Sequence, residues 1–143
     1  MTEFRGDYIE ICLSKRELYL YTKGFCKKYP VAVGSEKYPT PTGLFTIKSI
    51  KEKPSMMLPL DADWVSEEKK EWIRKNGPIP YGDPRNGLGP YWFGFGNGYG
   101  IHGTKNPSCI GRAVSHGCIR MRNEDLTELA GYVYEGMSVV IKE

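Results

Sequence analysis

Three short runs rich in Ile, Leu, Val and Tyr fill the start of the chain, at residues 7–13, 17–21 and 25–33. Polar turns at 14–16 and 22–24 separate them. That pattern predicts a three-stranded antiparallel meander and sets the class of fold. Residues 34–43 hold two prolines and two glycines and are expected to be irregular. Over 44–50 the alternation returns, with Phe45, Ile47 and Ser49 on one face and Leu44, Thr46 and Lys48 on the other.

Two helices interrupt the strands. The first is expected over 66–75. Ser66 can cap it, Glu67 and Glu68 suit its positive end, Arg74 and Lys75 its negative end, and Gly77-Pro78 stops it. Trp72 and Ile73 supply its apolar contact. The second is expected over 124–134, capped by Asn123, with Leu126, Leu129, Ala130 and Val133 as its buried stripe and Gly136 beyond its end. A last strand follows at 138–141. The predicted fold is mainly β with two helices (β-rich α+β), a sandwich or open barrel. At 143 residues the chain fits a single domain, 1–143, with a partly helical insertion at 56–89.

Composition removes several classes of function. A net charge of +3, evenly spread, gives no argument for nucleic acid. No apolar run approaches the ~20 residues of a membrane span. The N-terminal residues 1–7 lack the apolar stretch of a signal peptide. The four cysteines permit two disulfides, but a chain of this length does not depend on them. Cys12 and Cys26 lie in strand-like surroundings and are read as small buried hydrophobes. Cys109 is read as an ordinary loop residue rather than a redox partner.

Chemistry concentrates between residues 102 and 120, H-G-T-K-N-P-S-C-I-G-R-A-V-S-H-G-C-I-R. The only two histidines of the chain, His102 and His116, both fall here, and one glycine separates His116 from Cys118. A thiol near an imidazole makes a nucleophile at neutral pH, because the base removes the proton and the imidazolium stabilises the thiolate. Gly117 puts no side chain beside Cys118, so backbone N–H groups there could face a developing oxyanion. Tyr99-Gly100-Ile101 reads as a strand ending at His102, with Gly100 on His102's face leaving open space beside the ring. Glycines at 94, 96, 98, 100 and 103 make this approach glycine-rich, which suits strand bulges around a cleft. A P-loop is excluded, since no Lys-Ser/Thr pair and no helix follow.

S-H-G-C-I-R-M at 115–121 and I-H-G-T at 101–104 resemble the signature of the L,D-transpeptidase catalytic domain, the YkuD type. E-L-Y-L-Y at 17–21 and Y-P-V-A-V-G at 29–34 resemble the family's opening strands. T-P-T-G-L-F at 40–45 resembles its T-P-x-G-x-F turn, and 121–141 its closing helix and strand. The resemblance is loosest between about 54 and 84. It implies a cysteine-dependent enzyme of the cell envelope acting on the peptide stems of peptidoglycan. Cys118 would be the nucleophile, His102 the general base, and the Gly103 carbonyl the group that orients His102. Attack on the third stem residue would expel a terminal D-alanine and leave a thioester. A neighbouring stem amine would resolve it to a 3→3 cross-link; with water, the enzyme would be an L,D-carboxypeptidase. The backbone N–H groups of Gly117 and Cys118 would form the oxyanion hole, and Ser115, His116 and Arg120 would line the oxyanion and substrate side. Arg120, where some members carry asparagine, would either contact a substrate carboxylate or brace the loop. No cofactor is expected, the partners being donor and acceptor stem peptides, and a monomer is expected.

Rival readings are weaker. His102, Cys109, His116 and Cys118 are all zinc-competent, but H-x-C is a poor chelate and no C-x2-C or H-x3-H pair is present, so no metal is expected. A non-catalytic wall-binding module would have no need of both Cys118 and His102. The C-G-S-C-W context of papain-like peptidases is missing.

Overall fold

In the computed structural model, which describes residues 6–143, ten strands join in one sheet. The meander forms as expected: β1 (Tyr8–Cys12), β2 (Glu17–Thr22) and β3 (Phe25–Gly34) pair antiparallel in sequence. After them come β4 (Gly43–Thr46), β5 (Ser49–Glu52), helix α1 (Glu67–Asn76), β6 (Tyr91–Gly96) and β7 (Tyr99–His102). A 3-10 turn at Pro107–Cys109, β8 (Ala113–Ser115), β9 (Ile119–Met121), helix α2 (Asn123–Ala130) and β10 (Ser138–Lys142) complete the chain. The strand order is β4-β10-β1-β2-β3-β9-β7-β6-β5, and β8 pairs with the end of β3. Residues 1–5, most of the segment lacking a signal-peptide stretch, lie outside the described residues.

The order explains why the sheet curls. Strands β4 and β5 stand at its opposite ends, yet only Ile47 and Lys48 separate them. Two residues span no more than ~3.3–3.6 Å each. The two edges must therefore come together, and the sheet closes toward an open barrel. Ile47 N–H donates to Met137 O at 2.9 Å and Lys48 N–H to Gly94 O at 2.7 Å, so the crossing chain is bonded to both edges. The expected single strand over 44–50 is thus two strands on different edges. Its face assignment holds: Ile47 is buried, Phe45 and Ser49 half-buried, and Leu44, Thr46 and Lys48 exposed.

The inward face forms the core. Ile9, Ile11, Leu18, Leu20, Phe93 and Phe95 are fully buried, and Leu126 and Leu129 of α2 pack against them. Each such side chain is worth about 1.5–3 kcal/mol of burial. Helix α1 matches expectation closely. Ser66 Oγ accepts from Lys69 N–H at 3.2 Å, and the Gly77 N–H, at φ 84°, donates to Ile73 O at 2.7 Å. With Met56 and Ile79, Ile73 makes a second, separate apolar cluster, against which Trp72 packs. The segment at 56–89 therefore carries its own small core.

Three expectations are corrected. Asn123 is the first residue of α2 and not its cap; its Oδ1 accepts the Thr104 N–H at 3.0 Å instead. Helix α2 ends at Ala130 because Gly131 and Tyr132 donate to carbonyls only three residues back, those of Glu128 and Leu129, which tightens the last turn. Cys26 is exposed, unlike buried Cys12, because the first four residues of β3 are all exposed, in the β2–β3 hairpin. All four cysteines are free thiols, and Cys109 is buried, 3.7 Å from Thr104 Oγ1.

Candidate active site

Strands β7 and β9 run parallel, with Ile101 paired to Ile119 and His102 to Arg120. One residue earlier in that register, Gly100 stands beside Cys118. Side chains alternate along a strand, so Ile101 and Ile119 enter the core, both fully buried, while His102, Cys118 and Arg120 share the opposite face. Antiparallel β6 adds Trp92 opposite His102 and Gly94 opposite Gly100 on that same face. Residues sixteen apart in sequence are thereby neighbours on adjacent strands. The register shifts between Gly94 and Gly96, the bulge that the glycine spacing suggested.

His102 is 8% exposed, and its Nδ1 lies 2.7 Å from Gly103 O. A carbonyl only accepts, so Nδ1 carries the proton and Nε2 is the unprotonated, basic nitrogen. Burial pushes the imidazole pKa down to about 4; the Gly103 bond opposes this and the Arg120 charge adds to it. At neutral pH the ring is uncharged and able to take a proton. Gly103 is held in turn. Its N–H donates to Leu88 O at 2.7 Å, and a Cβ there would stand 2.1 Å from Asn123 Oδ1.

The space beside Gly100 is not open. The Trp92 indole fills it: a Cβ on Gly100 would meet the ring at 2.6 Å and one on Gly94 at 2.8 Å. The ring then stacks along His102, centroids 5.9 Å apart and planes 19° from parallel.

Cys118 is half-buried, and its Sγ donates to Gly98 O across 3.9 Å. Burial pushes the thiol pKa up; a Gly100 backbone contact and the Arg120 charge partly oppose this. The loop that presents it is tied from two sides. Ser115 Oγ donates to Cys118 O at 2.6 Å and accepts the Gly117 N–H at 3.1 Å. Thr40 Oγ1 accepts the Gly34 N–H at 2.9 Å and donates to Gly117 O at 2.8 Å. Gly117 has φ 120°, and the Tyr99 ring lies 2.4 Å from where its Cβ would be, so only glycine fits.

Of the residues assigned to the oxyanion and substrate side, the Gly117 N–H is engaged by Ser115 Oγ. Ser115 itself is 1% exposed and braces the loop. Arg120 is half-buried, and its positive charge adds to the lowering of both histidine pKa values and partly offsets the rise that burial causes at Cys118.

His116 is exposed. The Trp64 ring from the 56–89 segment lies flat on it, centroids 4.0 Å apart and planes 12° from parallel. Tyr38 meets it edge-on at 4.9 Å, and the Tyr38 hydroxyl donates to Asp63 Oδ1 at 3.1 Å. Partial burial and Arg120 lower the His116 pKa, and Asp63 opposes them. Trp92, Tyr38 and Trp64 are not singled out by the sequence, and Thr40 stands there only as the first residue of the T-P-T-G-L-F turn, without a place at the site. Trp92 left a signal of its own, an aromatic set among glycines at alternate positions. Among the described residues, no three His, Cys, Asp or Glu side chains group closely enough to hold a metal.

The architecture is that of L,D-transpeptidase domains. The structure of an L,D-transpeptidase from Mycobacterium smegmatis superposes with a TM-score of 0.74 at 17% identity, covering 96% of this chain and 59% of that one. The NMR structure of the catalytic domain from the E. faecium L,D-transpeptidase gives 0.69 at 23% identity, covering 99% of this chain and all of that one. The same domain acylated by ertapenem gives 0.70 at 24%. In sequence, the model of the YkuD family, the L,D-transpeptidase catalytic domain, matches residues 6–141, and the chain belongs to that family. The YkuD protein of Bacillus licheniformis is 38% identical over 134 residues, covering 93% of this chain and 64% of that protein. YkuD of Bacillus subtilis is 39% identical over 115 residues, 80% of this chain and 52% of that protein. The chain thus spans between half and two thirds of the length of these relatives.

Proposed function

We propose that this chain is a cysteine-dependent L,D-transpeptidase domain that forms 3→3 cross-links between peptidoglycan stem peptides in the cell envelope. The observation that carries the reading is the placement of Cys118 and His102 on one face of two neighbouring parallel strands, with His102 Nδ1 fixed on Gly103 O at 2.7 Å. That bond leaves Nε2 as the base. Burial keeps thiol and imidazole neutral at rest, so proton transfer accompanies attack instead of preceding it. Cys118 Sγ adds to the carbonyl of the third stem residue while its proton passes to His102. The tetrahedral intermediate then collapses, the proton returns to the departing amine of D-alanine, and a thioester remains. An acceptor amine, deprotonated by the same His102, attacks that thioester; the C–S bond breaks, and the proton passes from His102 back to the Cys118 sulfur. Arg120, beside Cys118, is suited to a substrate carboxylate, and the exposed His116 to the rim that seats the stem.

The test is incubation with purified disaccharide-tetrapeptide, resolving products by mass. A dimer linked through two diamino acid residues, with D-alanine released, is expected. In parallel, a carbapenem should add its mass to Cys118 on tryptic mapping, and not to buried Cys109 or exposed Cys26. An adduct confined to another cysteine refutes the assignment.

A further inference from the structure

We infer that Thr40, 78 residues before the nucleophile in the chain, is a positioning residue that aims the oxyanion-stabilising N–H of Cys118. The inference rests on the acyl-transfer reading above and gives a role in that site to a residue the sequence showed only as part of a turn motif. Thr40 is 4% exposed and uses its hydroxyl twice, accepting the Gly34 N–H at 2.9 Å and donating to Gly117 O at 2.8 Å. Gly34 is itself fixed, since a Cβ there would meet Tyr38 O at 2.4 Å and Thr40 N at 2.5 Å. The hydroxyl is therefore anchored to the end of β3, and it holds the Gly117 carbonyl from that anchor.

A peptide bond is planar, and the described residues contain no cis bond. The carbonyl of Gly117 and the N–H of Cys118 belong to one trans unit and point in opposite directions. Holding the carbonyl on buried Thr40 turns the Cys118 N–H the opposite way, where it can face the oxygen of a carbonyl substrate attacked by Sγ. The other candidate donor, the Gly117 N–H, is engaged by Ser115 Oγ at 3.1 Å. Ser115 also pins Cys118 O at 2.6 Å, so the peptides on both sides of Cys118 are clamped, one by Thr40 and one by Ser115. A preorganised donor of this kind acts on the charge that develops at the carbonyl oxygen, and not on the thiol itself.

That distinction supplies the test. A carbapenem reacts by S–C bond formation at a carbonyl, creating an oxyanion before the lactam C–N bond breaks. Iodoacetamide reacts at a saturated carbon with loss of iodide and creates no oxyanion. Thr40→Val removes the hydroxyl with little change of shape, and Thr40→Ala removes it without placing a methyl group against two polar backbone groups. Both rates are to be measured at Cys118 by peptide mapping, with circular dichroism to establish folding. The folded variants should be acylated at least about tenfold more slowly, somewhat less than the loss of a whole donor. Their alkylation should stay within about twofold, and Thr40→Ser should recover acylation. Acylation at the wild-type rate in a folded Thr40→Val or Thr40→Ala overturns the inference. So does an equal fall in both rates, or failure of both variants to fold while Thr40→Ser folds, since either makes the hydroxyl merely structural. A wild-type protein that no carbapenem acylates would instead overturn the acyl-transfer reading from which the inference starts.

Discussion

The indole of Trp92 lies along the imidazole of His102, 5.9 Å between centroids and 19° from parallel, because Gly94 and Gly100 leave a slot the width of the ring. Any side chain at Gly100 would displace Trp92, since its Cβ would fall 2.6 Å from the indole. The glycines approaching His102 therefore serve an aromatic wall. That wall removes water from one side of the proposed base, and lost hydration is the main reason its pKa is low.

Trp92→Ala should restore part of that hydration and move the His102 pKa upward, from about 4 toward its ordinary 6.5. A base must be unprotonated, so acylation of the wild type should stay level from neutral pH down and fall only near pH 4–5. In the variant the fall should begin at higher pH. Carbapenem acylation rates between pH 4 and 8 measure this. An acid limb already near 6.5 in the wild type would contradict the neutral-pair mechanism.

His102→Ala should abolish acylation, slowing it by at least about a hundredfold, the lower end of what general-base catalysis contributes. His116→Ala should keep a measurable rate, because that ring is clamped between Trp64 and Tyr38 and makes no hydrogen bond to Gly103. Single-turnover acylation of the two variants decides, and the opposite order of damage would transfer the role to His116.

Trp64→Ala should remove the one ring that the 56–89 segment lays on His116, at 4.0 Å. Substrate access is expected to change while the chemistry persists. Steady-state kinetics on tetrapeptide should show an altered KM or donor preference, with acylation by a small carbapenem within about threefold of wild type. Loss of acylation in a folded Trp64→Ala would place the segment in the catalytic machinery.

Gly117→Ala meets two obstacles at once, a φ of 120° and the Tyr99 ring 2.4 Å from the new Cβ. Each is worth on the order of 1–3 kcal/mol. The variant should melt several degrees lower and acylate poorly even where folded. In a Tyr99→Ala background the added cost of Gly117→Ala should be smaller, since the steric half is relieved and the backbone half remains. Thermal denaturation of the single and double variants tests the split.

Burial of neutral His102 also makes stability depend on pH. Its folded pKa is depressed, so the unfolded chain takes up the proton first as pH falls. The stabilisation is complete above about 6.5 and is lost on descending toward 4. Between pH 7.5 and 4.5 this single group should cost roughly 2–3 kcal/mol. Urea titrations at those two pH values should show wild type losing that much more than His102→Asn. Equal losses would mean that His102 keeps an ordinary pKa in the fold.

Local rules were enough for much of this molecule. The alternation in β1 to β3, the Ser66 cap and Gly77 stop of α1, and the Leu126–Leu129 stripe of α2 depend on neighbours within a few residues, and all could be read from the chain. The thiol and imidazole of the candidate site, Cys118 and His102, were legible as residue types, while their shared face was decided by the register of β7 and β9. What lay beyond reach depends on distant pairing. The break of 44–50 at Ile47 follows from a sheet that curls until β4 and β5 meet. Cys26 is exposed because its strand outruns the core. Gly100 looked like open space until β6 brought Trp92 across it. Thr40 touches Gly117 only because the loop after β3 and the loop before β9 converge at the same end of the sheet. Hydrogen-bond capacity belongs to a residue and is visible in its name; which partner takes it up is decided by packing, and packing is settled only when the whole sheet has closed.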